Sequence, residues 1–233
     1  MEITVKVLIR SLILASTLAI APQSFADIVR IFSRATLPTR LTPYNLAPDR
    51  PLDVGLFSAT IDNVATLCQL SVGNSPRTGL VAVQQRSGSG DHGGWAGNFA
   101  HDTLLVLVSG ELDFANVTFV PQNQVNSHVL VSGFGTQIQC DSPGPFTAQI
   151  RAFNQTANTW TPWFTVNGNS TSAGDNSAVF IGLQSTQRNI SAIQIRAKSD
   201  ASISSGHWAI NAPSITTAVG PIPVIATRPN TGP

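Results

Sequence analysis

Phe146 to Phe153 reads FTAQIRAF and alternates without a break. Phe146, Ala148, Ile150 and Ala152 take one side, and Thr147, Gln149 and Arg151 the other. A period of two belongs to a strand with one buried and one wet face, since a helix would group apolar residues three and four apart. The pattern recurs in Ile193, Ile195 and Ala197 against Gln194, Arg196 and Lys198. Thr103 to Val108 (TLLVLV) is instead a continuous apolar run, as expected of a strand covered on both faces. Further strands are expected over 54–61, 68–72, 80–84, 117–120, 129–140, 163–166, 178–183 and 208–216. Turn-rich segments such as SGSGDHGG, DSPGP, NGNSTSAGDN and SDASISSG separate them. About ten short strands at this spacing predict an all-β fold, a two-sheet antiparallel β-sandwich of jelly-roll-like type, over residues 51–217. Residues 27–50, with prolines at 38, 43 and 48 and little periodicity, read as an N-terminal loop segment. Residues 218–233 read as a Pro-rich C-terminal tail without an apolar anchor.

The first 26 residues have the three parts of a cleavable secretory signal peptide. Lys6 and Arg10 supply the positive start, Ser11 to Ala21 an apolar core, and Ser24-Phe25-Ala26 small residues for cleavage before Asp27. The apolar core holds 11 residues, whereas an uncleaved anchor needs about 20. The mature chain is therefore expected to be secreted, extracellular or periplasmic, with no transmembrane segment. Removing Lys6, Arg10 and Glu2 leaves 11 residues of each sign. No basic stripe for nucleic acid and no polybasic cluster for anionic membranes is present. Only 11% of residues are charged, so the surface must be rich in hydroxyls and amides, which suits an uncharged partner such as a glycan or surface polymer and is also common in secreted β proteins without a ligand.

Cys68 shares a strand face with Leu70 and Val72, and Cys140 with Phe134, Thr136 and Ile138, so both should point inward. An even pair in an exported chain predicts a Cys68–Cys140 disulfide. Two buried free thiols are the alternative.

The densest polar cluster runs from Asp91 to Asp102. Asp91, His92, His101 and Asp102 are candidate metal ligands or an acid/base set, although their spacing matches no zinc motif and ordinary turn chemistry accounts for the same residues. His128 and His207 are isolated, and a structural role suits them better. Asp175-Asn176 resembles an oxygen-donor loop, so a structural calcium is weighed against a tight turn; no other cofactor is expected. No catalytic set emerges: there is no G-x-S-x-G elbow, and Glu111 and Asp113 form an ordinary solvent-facing pair. Trp95, Trp160 and Trp163 are the candidate ligand-binding aromatics, because a flat ring beside amides and carboxylates can stack on the C–H face of a sugar. Trp160 and Trp163 flank Pro162 in NTWTPW and should lie at a loop or edge; Trp208 and the others could equally cap the core.

Across GGWAGNFAHDTLLVL, SGFGTQIQCDSPGPFTAQIRAF and FTVNGNSTSAGDNSAVFIGLQSTQRNISAIQI the chain resembles a family of exported bacterial β-sandwich proteins that often carry a PEP-CTERM sorting signal. The likeness covers about half the chain, from Gly93 to Ile195 with gaps. The resemblance implies a jelly-roll module at the outer surface, in matrix or secreted, and no particular activity. This chain departs by lacking the PEP motif, membrane segment and basic tail. Cys140 stands where relatives would carry a small or polar residue, in keeping with a disulfide private to this chain. The leading reading is a secreted non-enzymatic module that binds or organises extracellular polysaccharide. The alternatives are a structural envelope or matrix protein without a small ligand, and a secreted hydrolase built on the Asp91–Asp102 loop.

Overall fold

A computed structural model describes residues 28–44, 51–52, 54–72, 79–84, 98–99, 103–108, 114–122, 127–171, 173–174, 177–200 and 207–220. These form two antiparallel sheets packed face to face, the expected β-sandwich. The first sheet runs β1 (Ile28–Ile31), β14 (Val179–Ser185), β10 (Gly133–Cys140), β16 (His207–Asn211), β8 (Thr103–Val108), β7 (Gly79–Gln84) and β4 (Pro51–Leu52). On it, β17 (Ser214–Thr216) pairs with β10 and carries β2 (Thr39–Arg40). The second sheet runs β12 (Thr159–Trp160), β11 (Gly144–Asn154), β15 (Ile190–Ser199), β9 (Ala115–Pro121), β6 (Val64–Val72), β5 (Val54–Ile61) and β3 (Thr42–Pro43), with β13 (Phe164–Ser170) also on β11. From β8 to β11, and again from β13 to β16, each strand crosses to the opposite sheet. Chain neighbours therefore face each other across the core instead of pairing, the connectivity of Greek-key sandwiches.

The alternation in FTAQIRAF is realised in β11: Phe146, Ala148, Ile150 and Ala152 are buried, while Thr147, Gln149, Arg151 and Phe153 lie on the outer face. Ile193, Ile195 and Ala197 of β15 and Ala115, Val117 and Phe119 of β9 extend the same core layer. The two sheets meet where Phe119 packs edge-on against Phe134, ring centres 6.1 Å apart.

Three expectations need correction. Cys68 and Cys140 are both buried and both free, with no disulfide between them. The inward phase is right, but phase does not fix position along or across a sheet. Cys68 pairs laterally with Phe57 and Phe119, and Phe119 touches Phe134. Cys140 stands at the far end of β10 from Phe134, about 20 Å away at the strand rise. A bridge requires Cα atoms within about 7 Å.

The second correction concerns residues 27–50. The described part is no loop: β1, β2 and β3 lie within it and join both sheets. Strands of two to four residues are too short to show periodicity, and their pairing partners lie far along the chain. Among the described residues the sandwich thus begins at Ile28 instead of residue 51. At the other end, Gly220 is still tied to the sandwich, its N–H donating to the Thr186 carbonyl. Residues 221–233 of the expected tail lie outside the described residues, as does the expected signal peptide. Third, the expected strand over 208–216 is divided into β16 and β17, which run along the same side of β10. Pro213, which has no N–H for the ladder, marks the break, and its carbonyl accepts from Leu41 N–H.

The N-terminal segment also decides which sheet face stays open. Gly133 and Gly135 of β10 place no side chain on the outer face of the first sheet, and Leu37 and Phe180 lie where a Cβ would stand. Gly182 likewise accommodates Ile31 and Phe180. An apolar layer therefore covers this part of the first sheet. The corresponding outer face of the second sheet carries polar and aromatic side chains instead.

Candidate functional site

The site is built on β11 and its neighbours. After β11 the chain turns through Gln155–Asn158, where the Asn154 carboxamide oxygen accepts from Ala157 N–H and Asn158 adopts φ 52°. It returns as β12, placing Trp160 opposite Phe153. The two rings meet edge-on with centres 5.4 Å apart.

Trp160 and Trp163 are three residues apart, so an unbroken strand would send them to opposite faces. The register shows why it does not. β12 pairs Trp160 with Phe153, whereas β13 pairs Phe164 with Ile150. Four residues on one strand thus face three on the other, a one-residue bulge at Thr161–Trp163. Thr161 holds the junction: its N–H donates to the Ala152 carbonyl and its hydroxyl accepts from Ala152 N–H. The extra residue brings Trp163 beside Arg151, on the outer face with Trp160.

Both indoles are half-buried, and both rest on arginine. The Arg151 guanidinium carbon lies 4.9 Å from the centre of Trp160 and 4.5 Å from that of Trp163, and Arg196 lies 4.4 Å from Trp163. Burial, and then the neighbouring Arg196 charge, lower the Arg151 pKa from its ordinary value.

Each arginine is fixed by a cross-strand amide. Arg151 Nε donates to Gln194 Oε1, and Arg196 Nε to Gln149 Oε1, each at 2.7 Å. Arginine can only donate, so both glutamine oxygens must face it and both NH₂ groups must point away. Gln194 Nε2 accordingly donates to Asn116 Oδ1 at 2.9 Å, and Gln149 Nε2 to Thr165 Oγ1 at 3.2 Å. The result is a polar lattice across β9, β15, β11 and β13, spanning three strand spacings or about 14 Å. Arg30 of β1 plugs the edge of β13, its Nη1 donating to the Thr165 carbonyl at 2.6 Å.

Of the sequence-predicted aromatics, Trp160 and Trp163 are brought together on this face, and Trp208 is buried in the core. Trp95, the candidate ligands Asp91, His92, His101 and Asp102, the calcium candidates Asp175 and Asn176, and the Glu111–Asp113 pair lie outside the described residues. Among the described residues no three His, Cys, Asp or Glu side chains gather into a metal-binding group. No helix among them is long and apolar enough to cross a membrane. His207 is half-buried in β16, and its carbonyl accepts from Asp141 N–H. His128 is exposed beside a shallow groove of about 300 Å³ lined by Ile61, Asp62, Val64, Val129, Leu130 and Arg188. There Arg188 pairs with Asp62 and donates from Nε to the Leu130 carbonyl, clasping the β5–β6 turn.

The residues that sequence reading did not single out are Gln149, Arg151, Gln194 and Arg196. Their signal was available: the outward phases of FTAQIRAF and IQIRAK carry matching Gln and Arg, which complement each other once the two strands pair antiparallel.

No protein-family model matches the chain, and no curated protein does. Among solved structures it is similar to the CBM22-1–GH10 modules of an endo-1,4-beta-D-xylanase from Clostridium thermocellum complexed with xylohexaose, at 10% identity over 73% of this chain and 29% of that one, TM-score 0.40. It is similar to a DUF4465 family protein from Bacteroides caccae at 9% identity over 82% of this chain and 100% of that one, TM-score 0.38. It is also similar to the enzymatically active domain of tailspike protein 4 of bacteriophage CBA120, at 15% identity over 63% of this chain and 19% of that one, TM-score 0.33. The chain thus spans less than a third of the xylanase and tailspike chains.

Proposed function

We propose that this protein is a secreted, non-enzymatic β-sandwich module that binds extracellular polysaccharide through the outer face of its second sheet. The observation that carries the reading is the bulge that turns Trp160 and Trp163 to the same outward face as Gln149, Arg151, Gln194 and Arg196. Half-buried indoles braced by guanidinium groups lose little rotational freedom when a sugar ring stacks on them, and preorganisation of this kind favours affinity. The Asn116 amide, the Thr165 hydroxyl and the guanidinium donors match the hydroxyls and ring oxygens of a glycan. β1 begins at Ile28, so a protein beginning at Asp27 retains every described strand.

A glycan array with the protein beginning at Asp27 tests the reading, alongside Trp160→Ala and Trp163→Ala. Interface aromatics commonly contribute more than 1 kcal/mol, so each substitution should weaken binding about tenfold. Absence of binding to every polysaccharide, or unchanged binding by both variants, refutes the assignment.

A further inference from the structure

We propose that the polysaccharide is acidic, with a uronic-acid carboxylate seated between Arg151 and Arg196. The inference rests on the glycan reading and deepens it. Each chain of bonds on the face begins at an arginine Nε, passes through a glutamine and ends on an acceptor oxygen, Asn116 Oδ1 in one case and Thr165 Oγ1 in the other. What remains for a ligand is the opposite polarity: the Asn116 NH₂, the Thr165 O–H and the Nη groups of both arginines all donate. A surface arranged this way seeks a ligand rich in acceptors.

Charge points the same way. Among the described residues neither Arg151 nor Arg196 has a carboxylate within ion-pair distance. Both stack on Trp163, so the two cations lie close together and uncompensated. The Arg151 pKa is lowered first by burial and then by the Arg196 charge, and a bound anion would offset both. A carboxylate accepts up to two parallel N–H bonds from a guanidinium fork, and the Nε atoms already committed to glutamine fix where the Nη donors stand. Single-stranded nucleic acid would also meet rings and guanidinium groups. It requires a groove of positive charge that tracks successive phosphates, however, whereas Arg151 and Arg196 are gathered at the single ring of Trp163, which suits one carboxylate.

The probes are polygalacturonate and alginate, each compared with its carboxyl-reduced form by titration calorimetry at low and at physiological salt. The expected result is at least tenfold tighter binding to one acidic polymer than to its reduced form, weakening as salt rises. Arg151→Gln and Arg196→Gln should each weaken both polymers, because the guanidinium groups also brace the indoles, but should lower the acidic-over-reduced affinity ratio about tenfold. Arg151→Lys keeps the charge and should recover part of the loss, while thermal melts confirm that the variants fold. Equal affinity for acidic and reduced polymers, or binding to neutral glycans alone, overturns the acidic assignment and leaves the glycan reading standing. Failure to bind any polysaccharide overturns both. Tighter binding to single-stranded RNA than to either acidic polymer also overturns the proposal.

Discussion

Burial pushes the Cys140 thiol up to about 12, with Asp200 and Asp141 adding to the shift, and burial alone pushes Cys68 up strongly. A thiol raised in this way stays protonated and inert in the folded protein, whereas in the unfolded chain it ionises near its ordinary value of 9.0. The folded-state pKa lies above the unfolded one, so the stabilisation is fully present below pH 9 and is lost as pH rises toward 12. Each thiol should lower stability by about 1.4 kcal/mol per pH unit in that window. Denaturant midpoints between pH 8 and 11 for the wild type and for Cys68→Ala/Cys140→Ala measure this: the double variant should decline less steeply, and an equal slope refutes the account. At pH 8 neither thiol should react with a thiol reagent until denaturant is added. The same residues show where sequence reading stops. Their inward phase was legible because it depends on neighbours two positions away, but their separation depends on which strands the topology sets opposite, which local alternation does not encode.

The element that gives the face its character is the bulge between β12 and β13, where one residue of slack reverses the phase of everything after it. Deleting Pro162 removes that residue, reduces the Trp160–Trp163 separation to two and makes the two registers continuous. Both rings then remain outward, so this variant should keep its glycan affinity within about threefold and melt cooperatively. Deleting Thr161 and Pro162 together puts the strands out of phase again and turns one indole toward the core layer of Ile150 and Ala152. That variant should lose both affinity and stability, read by calorimetry and by quenching of tryptophan fluorescence. If the two deletions behave alike, the phase argument fails. The strands themselves were legible wherever one face is buried and the other wet, as in β11 and β15. Their pairing was not, because complementarity between Arg151 and Gln194, or Arg196 and Gln149, appears only when two segments some forty residues apart become neighbours. The proline in NTWTPW is the one local mark of the bulge.

At the scale of the whole molecule, the two faces of the sandwich are differentiated by the N-terminal segment. β1 extends the first sheet from β14, β2 pairs with β17, and β3 joins β5 of the other sheet. Between them Leu37 covers Gly133 and Gly135, and Arg34 Nη2 donates to Asn211 Oδ1, the oxygen that also accepts from Thr136 and Gln137. The segment buries four aliphatic side chains, Ile28, Ile31, Leu37 and Leu41. At about 1.5–3 kcal/mol each, their burial is worth about 6–12 kcal/mol, comparable to the whole stability of an ordinary domain. Its loss would also leave the glycine strip of β10 and the edge of β14 open to other chains. A protein beginning at Tyr44 should therefore lack a cooperative thermal transition and aggregate, while one beginning at Asp27 folds. Circular dichroism melts and light scattering on the two proteins distinguish these outcomes. A shortened protein that melts cooperatively within a few degrees of the longer one would show that the sandwich stands without its N-terminal strands, and that the open face of the second sheet owes nothing to them.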